Sequence, residues 1–212
     1  MTTPSIRTRF ALPAAVLALA VSLSGCISVF PKATPVQLYR LGQAAAPPAA
    51  AAPQGLVLAK APTLFPPDAA GDRLLTVNGP EAAFIADARW LEPASVMFDE
   101  AITAAFDQPG SPRLATRGEN LATGGTLRLE VRRFQVDYDH GAAGAPTVEI
   151  TVNAVLVRNA DRSAAAEKLF EIRQPADDNR VGAIVTAYNA AVAQAAGQIR
   201  DWTSLNAAQI RS

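Results

Sequence analysis

The stretch that decides the fold is GTLRLEVRRFQVD, residues 125–137. Its first part alternates strictly, with Leu127, Leu129 and Val131 apolar and Arg128, Glu130 and Arg132 charged. Successive side chains of a strand point to opposite faces, so this pattern predicts a half-buried strand with one wet face. Beyond Arg133 the parity changes, because Phe134, Val136 and Tyr138 become the apolar positions. A one-residue slip would turn the second part inside out, whereas one extra residue, a bulge at Arg132–Arg133, keeps both parts facing the core. After the turn DHGAAGAP (139–146), Val148, Ile150, Val152, Ala154 and Leu156 form the next inward set, opposed by Thr147, Glu149, Thr151 and Asn153. Asn159 to Ser163 is turn material, and Phe170 and Ile172 mark a third strand. Short polar connections between three consecutive strands predict an antiparallel meander.

Downstream, Val181, Ile184, Val185, Tyr188, Val192, Ala195, Ile199 and Trp202 recur at spacings of three and four, the apolar stripe of a helix packed on the sheet. Its apolar residues are mostly small and its polar face is not basic, which speaks against an interfacial membrane helix. Asp177, Asp178 and Asn179 offer capping oxygens just ahead of it. Upstream, GLVLAK (55–60), DRLLTVNG (72–79) and AAFIADARW (82–90) are brief apolar runs bounded by Pro or Gly, expected as strands. Pro93 then opens a helix whose inward stripe is Val96, Met97, Ile102, Ala105 and Phe106, stopped by Pro109-Gly110. In PVQLYRLG (35–42), Val36, Leu38 and Arg40 alternate with Gln37, Tyr39 and Leu41, a short first strand. Between it and the next strand lies QAAAPPAAAAPQ (43–54), in which Pro47, Pro48 and Pro53 forbid the helix that alanine favours and leave a semi-rigid spacer. The expected fold is α+β: a mixed sheet including a C-terminal three-stranded antiparallel meander, packed by two main helices.

The N-terminus has a different grammar. Arg7 and Arg9 precede an apolar run from Phe10 to Leu23, and the small residues Ser24 and Gly25 follow, the pattern of a cleavable signal peptide over residues 1–25. The run falls short of the roughly 20 apolar residues of a membrane-spanning helix. Cys26, the one cysteine of the 212 residues, comes next. Leu23-Ser24-Gly25-Cys26 resembles the lipobox of bacterial lipoproteins, which implies a covalent N-acyl and S-diacylglycerol lipid on Cys26 and cleavage before it. A lone cysteine is otherwise a small buried hydrophobe; its place directly after this run argues for lipidation. With no second cysteine there is neither an intramolecular disulfide nor a Cys-based metal site. Each buried methylene of an acyl chain contributes about 0.8 kcal/mol, and stable anchoring needs more than one chain. The division is then a signal peptide at 1–25, a lipidated N-terminus with the first strand and the Ala/Pro linker at 26–54, and one domain at 55–212.

Charge and chemistry narrow the function further. The chain holds 19 basic and 19 acidic residues, and loss of Arg7 and Arg9 with the leader tips the balance to acidic. Nothing here forms the polybasic field that nucleic acid or anionic headgroups require. His140, the sole histidine, sits in the Gly-rich turn, so no His-containing triad or two-histidine metal site exists, and G-x-S-x-G, P-loop and G-x-G-x-x-G motifs are absent. Glu130, Glu149, Asp137 and Asp139 lie on or beside strands, where solvated faces explain them better than an acid/base pair. We therefore expect no catalytic residue, no metal and no other cofactor.

Four features in order resemble the ABC-type transport auxiliary lipoprotein family: YRL at 39–41, ARWLEP at 88–93, LRLEVRRFQVD at 127–137 and the Ala-rich helix ending IRDW at 199–202. The Ala/Pro tract at 43–54 is longer than the family's usual connection. The resemblance implies an auxiliary lipoprotein of an MCE-type transporter, in which an ABC permease and ATPase of the inner membrane are joined to MCE-domain periplasmic proteins and lipids or other hydrophobic molecules move between the membranes. It implies a lipid-anchored place on the periplasmic face of the outer membrane; Ile27, rather than the aspartate that retains enteric lipoproteins in the inner membrane, is compatible with that. Partner contact is expected at Arg89 and Trp90, residue types enriched at interfaces, or along an exposed sheet edge; Trp90 equally suits a plug between sheet and helix. Two other readings stay open: a structural or assembly lipoprotein of the outer membrane without a transporter, and a lipid-binding protein, which needs an apolar pocket of several hundred Å³.

Overall fold

The computed structural model describes residues 35–41, 56–108, 111–115, 119, 122–139, 141 and 143–211. The predicted leader, Cys26, the Ala/Pro tract and His140 lie outside the described residues. The folded unit runs from Val36 to Ser212. Its elements are β1 (Gln37–Tyr39), β2 (Val57–Lys60), β3 (Arg73–Asn78), β4 (Glu81–Trp90), α1 (Ala94–Phe106), β5 (Arg113–Leu114), β6 (Gly125–Asp137), β7 (Thr147–Arg158), β8 (Ala164–Pro175), α2 (Val181–Leu205) and α3 (Ala207–Arg211). The result is the expected α+β architecture, among the described residues one mixed sheet of eight strands with three helices.

The sheet is organised by β6. Its partner β7 runs antiparallel along its whole length, and the predicted bulge is there: Val131 pairs with Val152 and Arg133 with Thr151, leaving Arg132 as the extra residue. Leu127, Leu129, Val131, Phe134 and Val136 are all buried as a consequence. β8 completes the meander against β7. On its other side β6 is shared. The first residues pair parallel with β2, the last pair parallel with β3, and Leu64 bridges Glu130 between them. β5 extends the sheet beyond β2, while β4 lies antiparallel to β3 and carries β1 in parallel at its far edge, with Leu38 opposite Arg89.

Both long helices cover one face. Phe98 of α1 and Tyr188 of α2 each lie against the ring of Phe134, with centroids 6.1 and 5.0 Å apart, and Phe65 closes the cluster at 5.3 Å from Phe134. Val148, Ile150, Val152, Ala154 and Leu156 of β7 lie beneath, fully buried. Burying each Val, Leu or Ile of this row contributes about 1.5–3 kcal/mol.

Three local expectations need correction. The inward line of α1 is Ala94, Phe98, Ile102 and Phe106 with Met97, whereas Val96 is 43% exposed and Ala105 half-buried. A four-residue spacing carries Phe98 into the aromatic cluster and rotates Val96 outward. Secondly, α2 begins at Val181 with Arg180 at its N-cap and no side-chain cap. Asp178 accepts the backbone N–H and the guanidinium of Arg180 instead, and Asn179 accepts the Tyr138 hydroxyl at 2.8 Å, so neither oxygen reaches the first helical amides. Thirdly, the second face of β7 is not wet: Glu149, Thr151 and Asn153 are 5, 4 and 9% exposed. A central strand sits between the longer side chains of both neighbours, and Arg133, Arg173 and Glu167 fold over it to hydrogen-bond Glu149 and Asn153.

Candidate functional site

The sheet alternation places Arg89 and Trp90 on opposite faces of β4. Trp90 is 2% exposed and meets Tyr188 of α2 edge-on, ring centroids 5.2 Å apart. It is the plug between sheet and helix, and it offers a partner no surface. Arg89 faces outward and holds both carboxylate oxygens of Asp72 at 3.2 Å. Both side chains of this pair are about half exposed, so it contributes at most about 1 kcal/mol.

Of the four carboxylates singled out in the sequence, three come together. Asp137, Asp139 and Glu149 gather at one end of the meander with Arg133 and Arg173. Arg173 bridges Asp139 and Glu149, and Arg133 donates to Glu149 at 2.8 Å. Partial burial pushes the Asp137 carboxyl up from its ordinary value, reinforced by its hydrogen bond to Asp139 and by the charges of Asp139 and Glu149, with Arg173 acting the other way. Glu130 stands apart, paired with Arg132. Two guanidiniums occupy Asp139 and Glu149 as ion pairs, the arrangement of a structural cluster. Among the described residues no group of three or more His, Cys, Asp or Glu side chains is placed to hold a metal ion.

Grooves flank both long helices. One of about 370 Å³ runs between the helices past Leu41, Ala101, Ala105, Val192, Ala196 and Arg200. Another, of about 550 Å³, lies along α1 beside Thr63, Val96 and Asp99. Behind them the aromatic cluster fills the space between helices and sheet, with Phe65 and Phe98 5.9 Å apart. Among the described residues no helix is long and apolar enough to cross a membrane.

Two surfaces remain for partners. β8 is a twelve-residue edge strand, and its charged residues Glu167, Lys168, Glu171 and Arg173 suit an edge kept from indiscriminate pairing. At the opposite end of the sheet, β1 displays Val36 at 46% and Leu38 at 57% exposure, next to Leu91 at 44%. Leu38 lies beside Arg89 in register, and Leu91 donates its N–H to Tyr39 O at 2.7 Å. The alternation of residues 36–41 is plain in the sequence, but both alternating sets contain apolar residues. Tyr39 and Leu41 turn inward here, which leaves Val36, Leu38 and Arg40 outside.

Comparison with known proteins bears on the whole of this unit. A family model for the ABC-type transport auxiliary lipoprotein component matches residues 39–200. The crystal structure of a Xanthomonas campestris protein of the DUF330 family is similar with a TM-score of 0.68 and 22% identity, over 82% of this chain and 98% of that one. A second solved protein, described as uncharacterised, is similar with a TM-score of 0.61 and 15% identity, over 80% and 99% of the two chains. At these identities both are likenesses of fold. No curated protein matches the sequence. Because the family match extends from the end of β1 into the last turns of α2, taking in the meander and both long helices, the chain belongs to the ABC-type transport auxiliary lipoprotein family.

Proposed function

We propose that the protein is a lipid-anchored, non-enzymatic auxiliary component of an MCE-linked ABC transport system, held by Cys26 at the periplasmic face of the outer membrane. The observation that carries the reading is the family match over residues 39–200 behind a lipobox-like Leu23-Ser24-Gly25-Cys26. The family's lipoprotein character supports a place in the cell envelope, and Ile27 after the cysteine favours the outer membrane. The partner would be an MCE-domain periplasmic protein and, through it, an inner-membrane permease and ATPase. The cargo would be phospholipid or another hydrophobic molecule moving between the membranes. A core filled by aromatic rings favours a docking component over a carrier that encloses its own lipid.

Crosslinked pulldown from native membranes tests the partner. Recovery of an MCE-domain protein is expected, and repeated recovery of unrelated proteins alone would count against the transport role. Cys26→Ser tests the anchor: the expected product is an uncleaved or soluble chain with its fold intact. Mature Cys26→Ser protein that still fractionates with outer membrane would show that the thiol is not the attachment point.

A further inference from the structure

We infer that the outward face of β1 and the turn after β4, with Val36, Leu38 and Leu91 set between Arg40 and Arg89, is a bilayer-contact surface that lays the folded domain against the membrane holding Cys26. The inference rests on the lipid anchor proposed above and adds to it an orientation.

Three observations lead there. The first is the patch itself. Three large aliphatic side chains, each 44–57% exposed, are brought together by the β1–β4 pairing, whereas Tyr39 and Trp90 on the other face are drawn into the core. The second is the reach of the chain. Nine residues separate Cys26 from Val36, and a chain spans at most about 3.3–3.6 Å per residue, so roughly 35 Å of tether is available at full extension. β1 is the first element of the domain after Cys26, so this tether keeps its outward face within reach of the bilayer. The third is charge. Arg40 and Arg89 flank the aliphatics, and the carboxylates of Asp72, Asp87 and Glu92 nearby leave the rim without excess positive charge. Attraction to anionic headgroups is therefore not the source of the contact. Apolar side chains enter the interface, and the long arginine side chains keep their guanidiniums at headgroup level.

Alone, three part-exposed aliphatics hold a bilayer weakly. Tethering changes this, because a short linker raises the effective concentration of the patch at the surface to the millimolar range. Acyl chains thus supply residence and the patch supplies orientation.

The test uses the lipidated chain in vesicles of phosphatidylethanolamine and phosphatidylglycerol. Acylation consumes the single native thiol, so an introduced cysteine takes an environment-sensitive nitrobenzoxadiazole label alone. Leu38→Cys carries the probe in the patch, and Leu169→Cys carries it on β8 as the control. The expected result is a several-fold higher emission at position 38 than at 169, strongly quenched by lipid bearing an acyl-chain nitroxide and little altered when the phosphatidylglycerol fraction is halved. Adding Leu91→Asp should abolish most of that quenching. Equal emission at both positions would overturn the inference. So would shielding of position 38 that appears only with other membrane proteins and without nitroxide quenching, since the face would then dock protein. Repeating the measurement on Cys26→Ser chain, with the leader replaced by a hexahistidine tag bound to nickel-chelating lipid, separates a failed patch from a failed anchor. Quenching in that form with no lipid on native Cys26 would refute the acylation alone, and no quenching in either form would refute the patch.

Discussion

β7 and β4 are strands of similar length in one sheet, yet nine of the twelve residues of β7 are buried and only two of the ten of β4 are. Composition does not explain this, since β4 reads EAAFIADARW and is rich in apolar residues. Neighbours do. β7 lies between two long strands, beneath α2 on one face and beneath the arginine and glutamate side chains of β6 and β8 on the other. β4 has the short β3 on one side and the three-residue β1 on the other, and a bulge around Asp87, at φ 54°, breaks its register with β3. What separates the two halves is how much of the molecule is available to cover them, and the sparsely covered half is the one that follows the proposed anchor.

The contrast predicts that adjacent residues of β4 behave very differently. Trp90→Ala empties the junction with Tyr188 and should cost about 3–5 kcal/mol, lowering the melting temperature on the order of 10 °C. Arg89→Ala beside it should cost no more than about 1 kcal/mol. Equal losses in denaturant melts would erase the distinction between plugged and presented faces. A sharper probe of the covered half is Gly125, where an added Cβ would stand 2.7 Å from Val157 O and 2.9 Å from the Ile210 side chain. Gly125→Ala should cost about 1–3 kcal/mol by overpacking, while Gly71→Ala, with nothing within 4 Å, should leave stability nearly unchanged. A harmless Gly125→Ala would mean that α3 does not hold that end of the sheet.

The smallest effect concerns the carboxylate cluster. The folded state raises the Asp137 pKa above 3.8, so it binds that proton more tightly than the unfolded chain does. Stability is then lost as pH rises from 3.8 through the raised value. Asp137→Asn removes that penalty and should melt slightly higher than the parent at neutral pH, with the gap closing well below pH 3.8. The group is only partly buried, so solvent screens the effect. A variant that melts lower at neutral pH would show that its charge is used rather than tolerated.

Legibility in the sequence followed the same divide. The meander, its bulge and α2 could be read residue by residue because a long strand or helix repeats its period many times. Even the parity change at Arg133 predicted a real geometric event. What failed were inferences about the second face. Nothing in Glu149, Thr151 or Asn153 announces burial, because the cover comes from Arg133, Arg173 and Glu167 on other strands. The cap of α2 failed similarly, since Asn179 is claimed by Tyr138 from a distant turn. At the candidate site, Arg89 and Trp90 were found by residue type, and the structure separates them, one out and one in. The Val36–Leu38 face was missed because a three-residue strand has too few periods to say which side is core.

One last consequence lies in the way β6 is shared. β2 and β3 do not pair with each other; each joins the meander through its own stretch of β6, at Gly125–Leu127 and Val136–Asp137. The β2–β5 arm and the β3–β4–β1 arm are thus two separate leaves bound to one spine. The second leaf is the one that leads back toward the proposed anchor. Its ladder to β6 spans only two residue pairs, and Trp90 against Tyr188 is its second fastening, so a load entering through β1 would be divided between a short run of backbone hydrogen bonds and one buried ring contact.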